Sequence, residues 1–345
     1  MGTIKRQGSG DRPVRVQDVA RVAGVSPITV SRALSNPDLV RPETRARVAA
    51  AVAETGYVVN SLASSLRSGR SNVIAVFVSN FFNQLFAAAM QGCADALEGS
   101  GYHMLVAQTA GTAQNEREVV ESVMPFRPAA FVFGGRVQSD ATRERLIGLN
   151  VPVVETWTAQ PEPVDVLVTL PATDIGRLMG EHFGKRRFKR IAYAGAVKAN
   201  RGAWVESFRS GLAAEAAELA LVVDLDVDPK ILRGMEGLER VLRDLPDCDA
   251  IFFGSDLLAV GAMLEARKRG IRIPEDIAVA GLGDLDFAAH LQPSLTTVRV
   301  SGYEIGRRSG QMLLARLRTE AVPERISTVP VELVERDSTR QTGPV

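Results

Sequence analysis

Cysteine and histidine are scarce in this chain. Its 345 residues include two cysteines, Cys93 and Cys248, and three histidines, His103, His182 and His290. The cysteines are far apart and the histidines are isolated from one another, so the sequence has neither metal-ligand spacing nor a disulfide framework. We expect no bound metal and no other cofactor.

Sequence signatures of catalysis are also missing. The chain has no phosphate-binding P-loop, no Gly-x-Ser-x-Gly elbow and no His or Cys set at metal-ligand spacing. Gly281-Leu282-Gly283-Asp284 contains a lone pair of glycines, which is weak support for a nucleotide site. We therefore expect a protein that is not an enzyme and has no catalytic residues.

Long apolar runs are absent as well. Residues 1–13 carry Lys5, Arg6 and Arg12 but no apolar core, so they do not form a secretory signal. No later run reaches membrane-spanning length. We expect a cytoplasmic protein without a membrane partner, and a disordered tail over residues 1–13.

Basic charge is concentrated at one end of the chain. The whole sequence is nearly neutral, with 41 Lys and Arg and 40 Asp and Glu. Residues 1–70 hold 11 of the basic and 5 of the acidic residues, a local charge of +6, which leaves −5 for the remainder. A basic head on an acidic body is typical of a head that contacts phosphate. A solvated basic tail is the alternative.

The basic head begins with the pattern of a short amphipathic helix. Val16, Val19, Ala20 and Ala23 recur at helical spacing, and Gly24 can end that helix. These residues predict one apolar face that other helices must cover.

A second helix is predicted from Pro27 to Leu34. Ser26 can accept a hydrogen bond from a free amide, and proline at the first helical position loses no hydrogen bond. Asn36-Pro37 closes this helix, and a third is predicted from Pro42 to Thr55. Two short helices three or four residues apart are typical of a helix-turn-helix. A three-helix bundle for protein contacts is the alternative.

Residues 72–345 alternate apolar runs with helical patterns, which predicts parallel α/β sheets. The predicted strands are residues 73–78, 103–107, 130–133 and 151–154 in a first series, and 190–195, 221–223, 250–253 and 277–281 in a second. Two similar series imply two doubly wound lobes. Ligands of such sheets bind outside the carboxyl ends of the strands, so we expect a cleft between the lobes.

Three motifs in the head resemble the head-piece of the LacI/GalR family of repressors. They are Asp18-Val19-Ala20, Ala23-Gly24-Val25-Ser26 and Thr29-Val30-Ser31-Arg32. The resemblance implies a sequence-specific DNA-binding transcriptional regulator whose second helix enters the major groove of operator DNA.

The resemblance also places individual residues against DNA. Arg32 can donate two hydrogen bonds to a guanine edge, and Ile28 can contact a thymine methyl. Pro27 and Ile28 replace the polar pair of the lac repressor, and Arg15 stands where the family often has a capping Thr or Ser. The predicted DNA-binding residues are Ser26, Pro27, Ile28, Thr29, Ser31, Arg32, Asn60, Ala63 and Leu66.

Residues 60–66 resemble the family's hinge helix, which inserts a leucine into the minor groove. Leu66 is the matching residue, and such wedges unstack a base step and bend the duplex. Val59 stands where the family usually has proline, and an ordinary interdomain spacer is the alternative. The expected organisation is a tail (1–13), a helix-turn-helix domain (14–58), a hinge helix and linker (59–71) and a two-lobed effector-binding and dimerisation domain (72–345).

The body carries further family motifs. Residues 254–261, 273–281 and 293–298 resemble the sugar-binding core that these regulators share with periplasmic binding proteins, and residues 83–86 and 153–155 resemble the gluconate-operon repressors. The expected fold is an all-α helix-turn-helix head-piece plus an α/β body of two doubly wound parallel-sheet lobes, similar to periplasmic binding proteins.

Candidate effector-binding residues follow the predicted strands. They are Phe86, Arg136, Glu155, Lys198, Asn200, Arg201, Trp204, Asp256 and Asp284. Asp256 matches the family's cleft carboxylate and can accept hydrogen bonds from ligand hydroxyls, although an Asp before a helix can also be its cap. Asp284 could be a loop residue. Trp204 stands where the family frequently has arginine, and its indole could cover a sugar ring or lie in the core.

The chemistry of this set favours a sugar acid such as gluconate. Arg136, Lys198 and Arg201 can bind a carboxylate, while Asp256 and Glu155 can bind hydroxyls. A neutral sugar is the broader expectation, and solvated surface is the alternative for the basic residues.

The resemblance implies a homodimer that binds a palindromic operator and whose DNA affinity a small effector controls. A cytoplasmic sugar-processing enzyme, or another ligand-binding protein with an appended DNA-binding module, is the alternative. A periplasmic transport receptor would have no use for a helix-turn-helix.

Overall fold

The chain divides into two compact units, Met1–Ser71 and Asn72–Val345. The computed structural model describes residues 14–35, 37–57, 71–81, 83–158, 162–197, 202–225, 230–320, 322 and 324–340. The predicted tail and residues 59–70 of the predicted hinge segment therefore lie outside the described residues.

The first unit is helical, as predicted. Its elements are α1 (Val16–Ala23), α2 (Pro27–Ser35), a 3-10 turn (Pro37–Leu39) and α3 (Pro42–Thr55). Helix α1 ends at Gly24, whose φ of 62° is the left-handed conformation that glycine adopts at little cost. At the other end, the Asp18 carboxylate accepts a hydrogen bond from the Arg15 amide (2.9 Å), so this amide has a partner although no hydroxyl caps the helix.

A small apolar core joins these three helices. Its buried residues are Val19, Ala20, Ala23, Val30, Ala33, Val48 and Ala51. Arg47 of α3 donates hydrogen bonds to the carbonyl oxygens of Ala23 and Gly24, at 2.5 and 3.1 Å. These bonds satisfy carbonyls at the end of α1, where the helix offers no partner, and so fasten α3 to the turn that precedes α2.

The second unit contains two six-stranded sheets in its described residues. The sheet of the first lobe contains β1 (Val73–Val78), β2 (His103–Gln108), β3 (Ala130–Phe133), β4 (Val153–Thr156), β5 (Val166–Thr169) and β11 (Ile326–Thr328). The sheet of the second lobe contains β6 (Ile191–Gly195), β7 (Leu219–Asp224), β8 (Ala250–Phe253), β9 (Ala278–Gly283), β10 (Thr296–Val300) and β12 (Val331–Val334).

Helices cover both faces of each sheet. The first lobe has α4 (Gln84–Leu97), α5 (Ala113–Val123), α6 (Asp140–Leu149) and α11 (Gly302–Leu317). The second lobe has α7 (Ala172–Lys185), α8 (Gly202–Ala214), α9 (Ile231–Asp244) and α10 (Asp256–Lys268). No helix in the described ranges has both the length and the apolar character needed to cross a membrane.

The strand orders are β11-β5-β4-β3-β1-β2 and β12-β10-β9-β8-β6-β7. Neighbouring strands are parallel, except that β12 runs antiparallel to β10. The chain passes between the lobes three times, after β5, after β10 and after β11. The prediction of two doubly wound lobes is confirmed, and the carboxyl ends of the parallel strands lie at one edge of each sheet.

The sequence pattern predicted four strands in each lobe, and this number was wrong. It missed β5, β10, β11 and β12, and it began the fourth strand at Val151 rather than Val153. Strands β11 and β12 follow the long helix α11, so each returns to a lobe whose other strands precede it in the sequence. A pattern that is read in chain order cannot assign such strands to a sheet.

Alternation along the strands divides the first lobe's core in two. Ile74, Val76 and Val78 of β1 belong to the cluster on the side of α4 and α11, whereas Ala75 and Phe77 belong to the cluster on the side of α5 and α6. The same alternation places Phe133 of β3 in the cluster on the side of α5 and α6.

Helices α4 and α11 approach very closely, because glycine lies at their contact. A Cβ atom at Gly306 would lie 1.7 Å from the carbonyl oxygen of Ala89. Since that neighbour is backbone, the helices could not accommodate a side chain there without separating.

We predict that Gly306→Ala lowers the free energy of unfolding by about 1–3 kcal/mol, because overpacking forces the backbone to move. Gly148→Ala is the matched control, since a Cβ at Gly148 of α6 would meet nothing within 4 Å. That control should be neutral or stabilising by up to about 1 kcal/mol, because alanine favours helix more than glycine does. Urea denaturation measures both, and equal effects of the two substitutions would contradict the close approach.

Candidate functional site

The first turn of α2 presents a small polar and apolar surface to solvent. The Ser26 hydroxyl accepts a hydrogen bond from the Thr29 amide (3.1 Å) and lies 2.9 Å from the Thr29 hydroxyl. These contacts fix the helix start. Pro27 is exposed, and Ile28 keeps 69% of its surface exposed although it is a large apolar residue. An exposed isoleucine in the first turn of a helix is suited to contact a partner.

Arg32 extends from the same helix. It is exposed, and it has no acidic partner within residues 14–35 and 37–57 or elsewhere in the described chain. Thr29 and Ser31 are half-buried beside it. The structure therefore brings together the predicted residues Ser26 to Arg32, while Asn60, Ala63 and Leu66 lie outside the described residues.

An aromatic pair lies at the carboxyl edge of the first lobe's sheet. The rings of Phe86, in α4, and Trp157, after β4, meet edge to face with their centroids 5.5 Å apart. Together with Gly134 and Thr156, they line a cavity of about 30 Å³. Phe86 is one of the predicted effector-binding residues, whereas Trp157 was not predicted, although a tryptophan directly after a strand was a signal that could have identified it.

Arg136 lies two residues beyond Gly134, in the loop that follows β3. It is exposed and has no acidic partner among the residues described. The loop can turn there because Gly135 has a φ of 147°, a conformation that other residues rarely adopt. An exposed guanidinium thus follows, in the same loop, the Gly134 that lines the cavity of the aromatic pair.

Glu155 is directed away from this edge. It is paired with Phe133 across β3 and β4, and like Phe133 it faces α5 and α6, so only 1% of its surface is exposed. Its carboxylate accepts hydrogen bonds from the amides of Val137 (2.8 Å) and Val164 (2.6 Å) and pairs with Arg143 (3.1 Å). A direct bond from Glu155 to an effector remains a prediction, and in this arrangement its oxygens already have protein donors.

Asp256 is a buried carboxylate of the second lobe and the first residue of α10, which follows β8. It is fully buried and accepts hydrogen bonds from the Thr297 hydroxyl (2.7 Å) and the Leu285 amide (2.8 Å). Burial raises its pKa to about 6. The cap of α10 is Ser255, whose hydroxyl accepts from the Leu257 amide, so Asp256 is not the helix cap. Its predicted contact with an effector hydroxyl is untested.

Asp284 follows β9 and is held by two arginines. Its oxygens accept hydrogen bonds from Arg299 Nε (2.7 Å) and from an Arg336 Nη atom (2.6 Å). Although burial acts to raise it, these two guanidinium groups hold the pKa of Asp284 below its ordinary value. A groove of about 410 Å³ is lined by Asp284, by Gln84 of α4 and by residues 299–303. This groove joins elements of the two lobes.

Three of the predicted effector-binding residues of the second lobe lie outside the described residues. Lys198, Asn200 and Arg201 are not among the described residues, and Trp204 is half-buried in the first turn of α8, against the core. Among the described residues, Phe86 and Trp157 thus line one cavity on the first lobe, Asp284 lines the groove that joins elements of the two lobes, and Arg136 is exposed in the loop after β3.

The chain combines a helix-turn-helix unit, whose second helix is exposed, with two α/β lobes that have an edge suited to a ligand. This combination defines a DNA-binding regulator with a ligand-binding body. Family models match the same two parts. The model of bacterial regulatory proteins, lacI family, matches residues 15–60, and the model of the periplasmic binding protein-like domain matches residues 181–339.

Known proteins resemble nearly the whole chain. The HTH-type transcriptional regulator GntR of Pseudomonas aeruginosa is 31% identical over 326 residues, which are 94% of this chain and 95% of that protein. A LacI family transcriptional regulator from Silicibacter pomeroyi matches with a TM-score of 0.87 and 29% identity, over 95% of this chain and 100% of that one. The chain belongs to the LacI family of transcriptional regulators.

The fold also matches the lac repressor dimer bound to operator and the anti-inducer ONPF. That similarity has a TM-score of 0.83 over 95% of this chain and 99% of that one, at 24% identity. At this identity the comparison supports the fold.

We predict that Asp256 makes stability depend on pH. Its folded pKa of about 6 exceeds the usual 3.8, so the folded state binds a proton more readily than the unfolded state between these values. Relative to Asp256→Asn, the native protein should gain free energy of unfolding as pH falls from 7 to about 4.5, at about 1.4 kcal/mol per pH unit below the folded pKa.

Urea denaturation at several pH values measures this difference. Thr297→Val removes a hydroxyl that favours the ionised carboxylate, so the gain should then begin at a higher pH. A pH-independent difference between the native protein and Asp256→Asn would show that the carboxylate is not desolvated.

Proposed function

We propose that this chain is a cytoplasmic repressor that binds operator DNA as a homodimer and responds to a sugar acid such as gluconate. The observation that carries the effector class is the exposed Arg136 guanidinium, two residues beyond Gly134, which lines the same cavity as Phe86 and Trp157. It acts by binding and not by catalysis. Its parts are the helix-turn-helix domain (14–58), the hinge and linker (59–71) and the two-lobed domain (72–345).

The exposed surface of α2 carries the DNA-reading role. Arg32 has the geometry to donate two hydrogen bonds to guanine O6 and N7, and Ile28 offers an apolar surface to a thymine methyl. The Ser26 and Thr29 hydroxyls lie at the helix start, where exposed amides favour phosphate oxygens. Asn60, Ala63 and the Leu66 wedge complete the proposed DNA contact.

The effector role rests on complementary chemistry. A guanidinium binds a carboxylate through two parallel, charge-assisted hydrogen bonds, and flat aromatic rings cover the apolar face of a sugar chain. Arg136, Phe86 and Trp157 provide both features on the first lobe. Lys198, Asn200, Arg201 and Trp204 are proposed contacts from the second lobe.

An exposed apolar patch on the second lobe supports a homodimer. Ile231 and Leu232 at the start of α9, and Leu264 of α10, keep 42%, 64% and 45% of their surfaces exposed. A Cβ at Gly261 would lie 1.9 Å from the Ile231 carbonyl, so the start of α9 lies one turn from Leu264. Grouped exposed apolar residues are typical of interfaces, and the lac repressor relative is a dimer.

The effector proposal is tested by measuring thermal stability with D-gluconate, other aldonic acids, neutral sugars and purines. We expect aldonic acids to raise the melting temperature, because a ligand that binds only the folded state stabilises it. Arg136→Ala should weaken gluconate binding by about 10- to 100-fold, the loss expected for hydrogen bonds between charged groups.

Arg117→Ala is the matched control, because Arg117 of α5 is exposed and has no acidic partner within the described part of the chain. It should leave gluconate binding unchanged. Stabilisation by neutral sugars or purines alone, or equal effects of the two substitutions, would overturn the sugar-acid proposal.

A further inference from the structure

Two buried carboxylates support the loop that carries Arg136. Glu116 of α5 and Glu155 of β4 keep only 4% and 1% of their surfaces exposed. Both accept hydrogen bonds from backbone amides of the loop between β3 and α6. Neither carboxylate reaches the surface, so any effect on a ligand must pass through the loop.

Glu116 holds one end of this loop. Its oxygens accept hydrogen bonds from the amides of Gln138 (3.0 and 3.1 Å) and Ser139 (3.1 Å). Ser139 in turn caps α6 by accepting from the Thr142 amide at 3.3 Å. All of the amide donors lie between Gln138 and Thr142, so Glu116 of α5 holds only the segment that leads into α6.

Glu155 connects two segments. One oxygen accepts from the Val137 amide, next to Arg136, and the other accepts from the Val164 amide, just before β5. Arg143 reinforces the connection, because one of its amino groups binds Glu155 (3.1 Å) and the other binds the carbonyl of Glu162 (2.8 Å). The ion pair therefore ties residues 136–138 to residues 162–164.

We propose that the Arg143–Glu155 pair is a positioning device that sets the place of Arg136 relative to the segment before β5. Only the identity of the ligand that Arg136 binds rests on the proposed sugar-acid function. Glu155 thus acts on the effector through Arg136 and not by touching it.

The physical reason is the cost of burying charge. A carboxylate withdrawn from water is tolerated only when its oxygens are fully hydrogen-bonded, so Glu155 constrains every group that serves it. Those groups come from two segments that are 27 residues apart at Val137 and Val164. An apolar residue at position 155 could fill the space, but it could not fix either segment.

Hydrogen exchange of the full chain without ligand tests the connection. Glu155→Gln should accelerate exchange about tenfold or more in peptides that cover both 134–139 and 162–167, because an amide cannot serve all of these donors. Glu116→Gln is the matched control and should accelerate only the first peptide. Arg143→Lys, a milder change that cannot reach both Glu155 and Glu162, should accelerate mainly the second.

Unchanged exchange at 162–167 in a folded Glu155→Gln protein would overturn the connection. Because this readout needs no ligand, it decides the connection even if gluconate does not bind and the proposed effector is wrong.

A double-mutant cycle with gluconate tests the positioning role by calorimetry. Glu155→Gln should weaken gluconate binding about tenfold, but should add little to Arg136→Ala, since it acts through Arg136. Additive losses, with gluconate still bound by the native protein, would overturn the positioning role and leave the proposed function standing.

Discussion

Buried carboxylates near the carboxyl edges of the two sheets hold the segments that surround those edges. In the first lobe Glu155 accepts from Val137 and Val164, and in the second Asp256 accepts from Thr297 and Leu285. Parallel strands bring their carboxyl ends to one edge of the sheet, but the backbone amides of the loops there lie outside the regular pattern of hydrogen bonds between strands. A buried carboxylate supplies strong hydrogen-bond acceptors for these amides, and the carboxylate is stable in its buried position only when those hydrogen bonds are made.

This arrangement separates the groups that bind from the groups that support. Arg136 and the Phe86–Trp157 pair stand at the edge of the first lobe, while Glu155 lies behind them against α5 and α6. An effector can change DNA affinity only by the difference between its affinities for two states, typically about 1–3 kcal/mol. A state in which these loops already have the binding geometry binds the ligand more tightly than a state in which they do not, because less ordering is needed when the ligand binds.

Local pattern predicted more of the fold than of the site. Helical spacing and the Ser26-Pro27 start identified α1 to α3, and apolar runs identified eight of the strands to within two residues at each end. Glu155 and Asp256 show what local pattern lacks. Both lie at or just after the end of an apolar run, as binding residues often do. Their side chains are nevertheless buried, because of the face of the sheet on which they lie and because of partners elsewhere in the chain such as Thr297 and Val164.

The most direct test of the account is selection of double-stranded DNA from a random library by the purified chain at physiological salt, followed by titration of the selected sequence. We predict that the selected sequence is an inverted repeat, that a saturating aldonic acid changes its affinity by about 5- to 150-fold, and that Arg32→Ala removes the preference at one position in each half-site. Selection without enrichment, or an Arg32→Ala protein that keeps its preference at every position, would contradict the account.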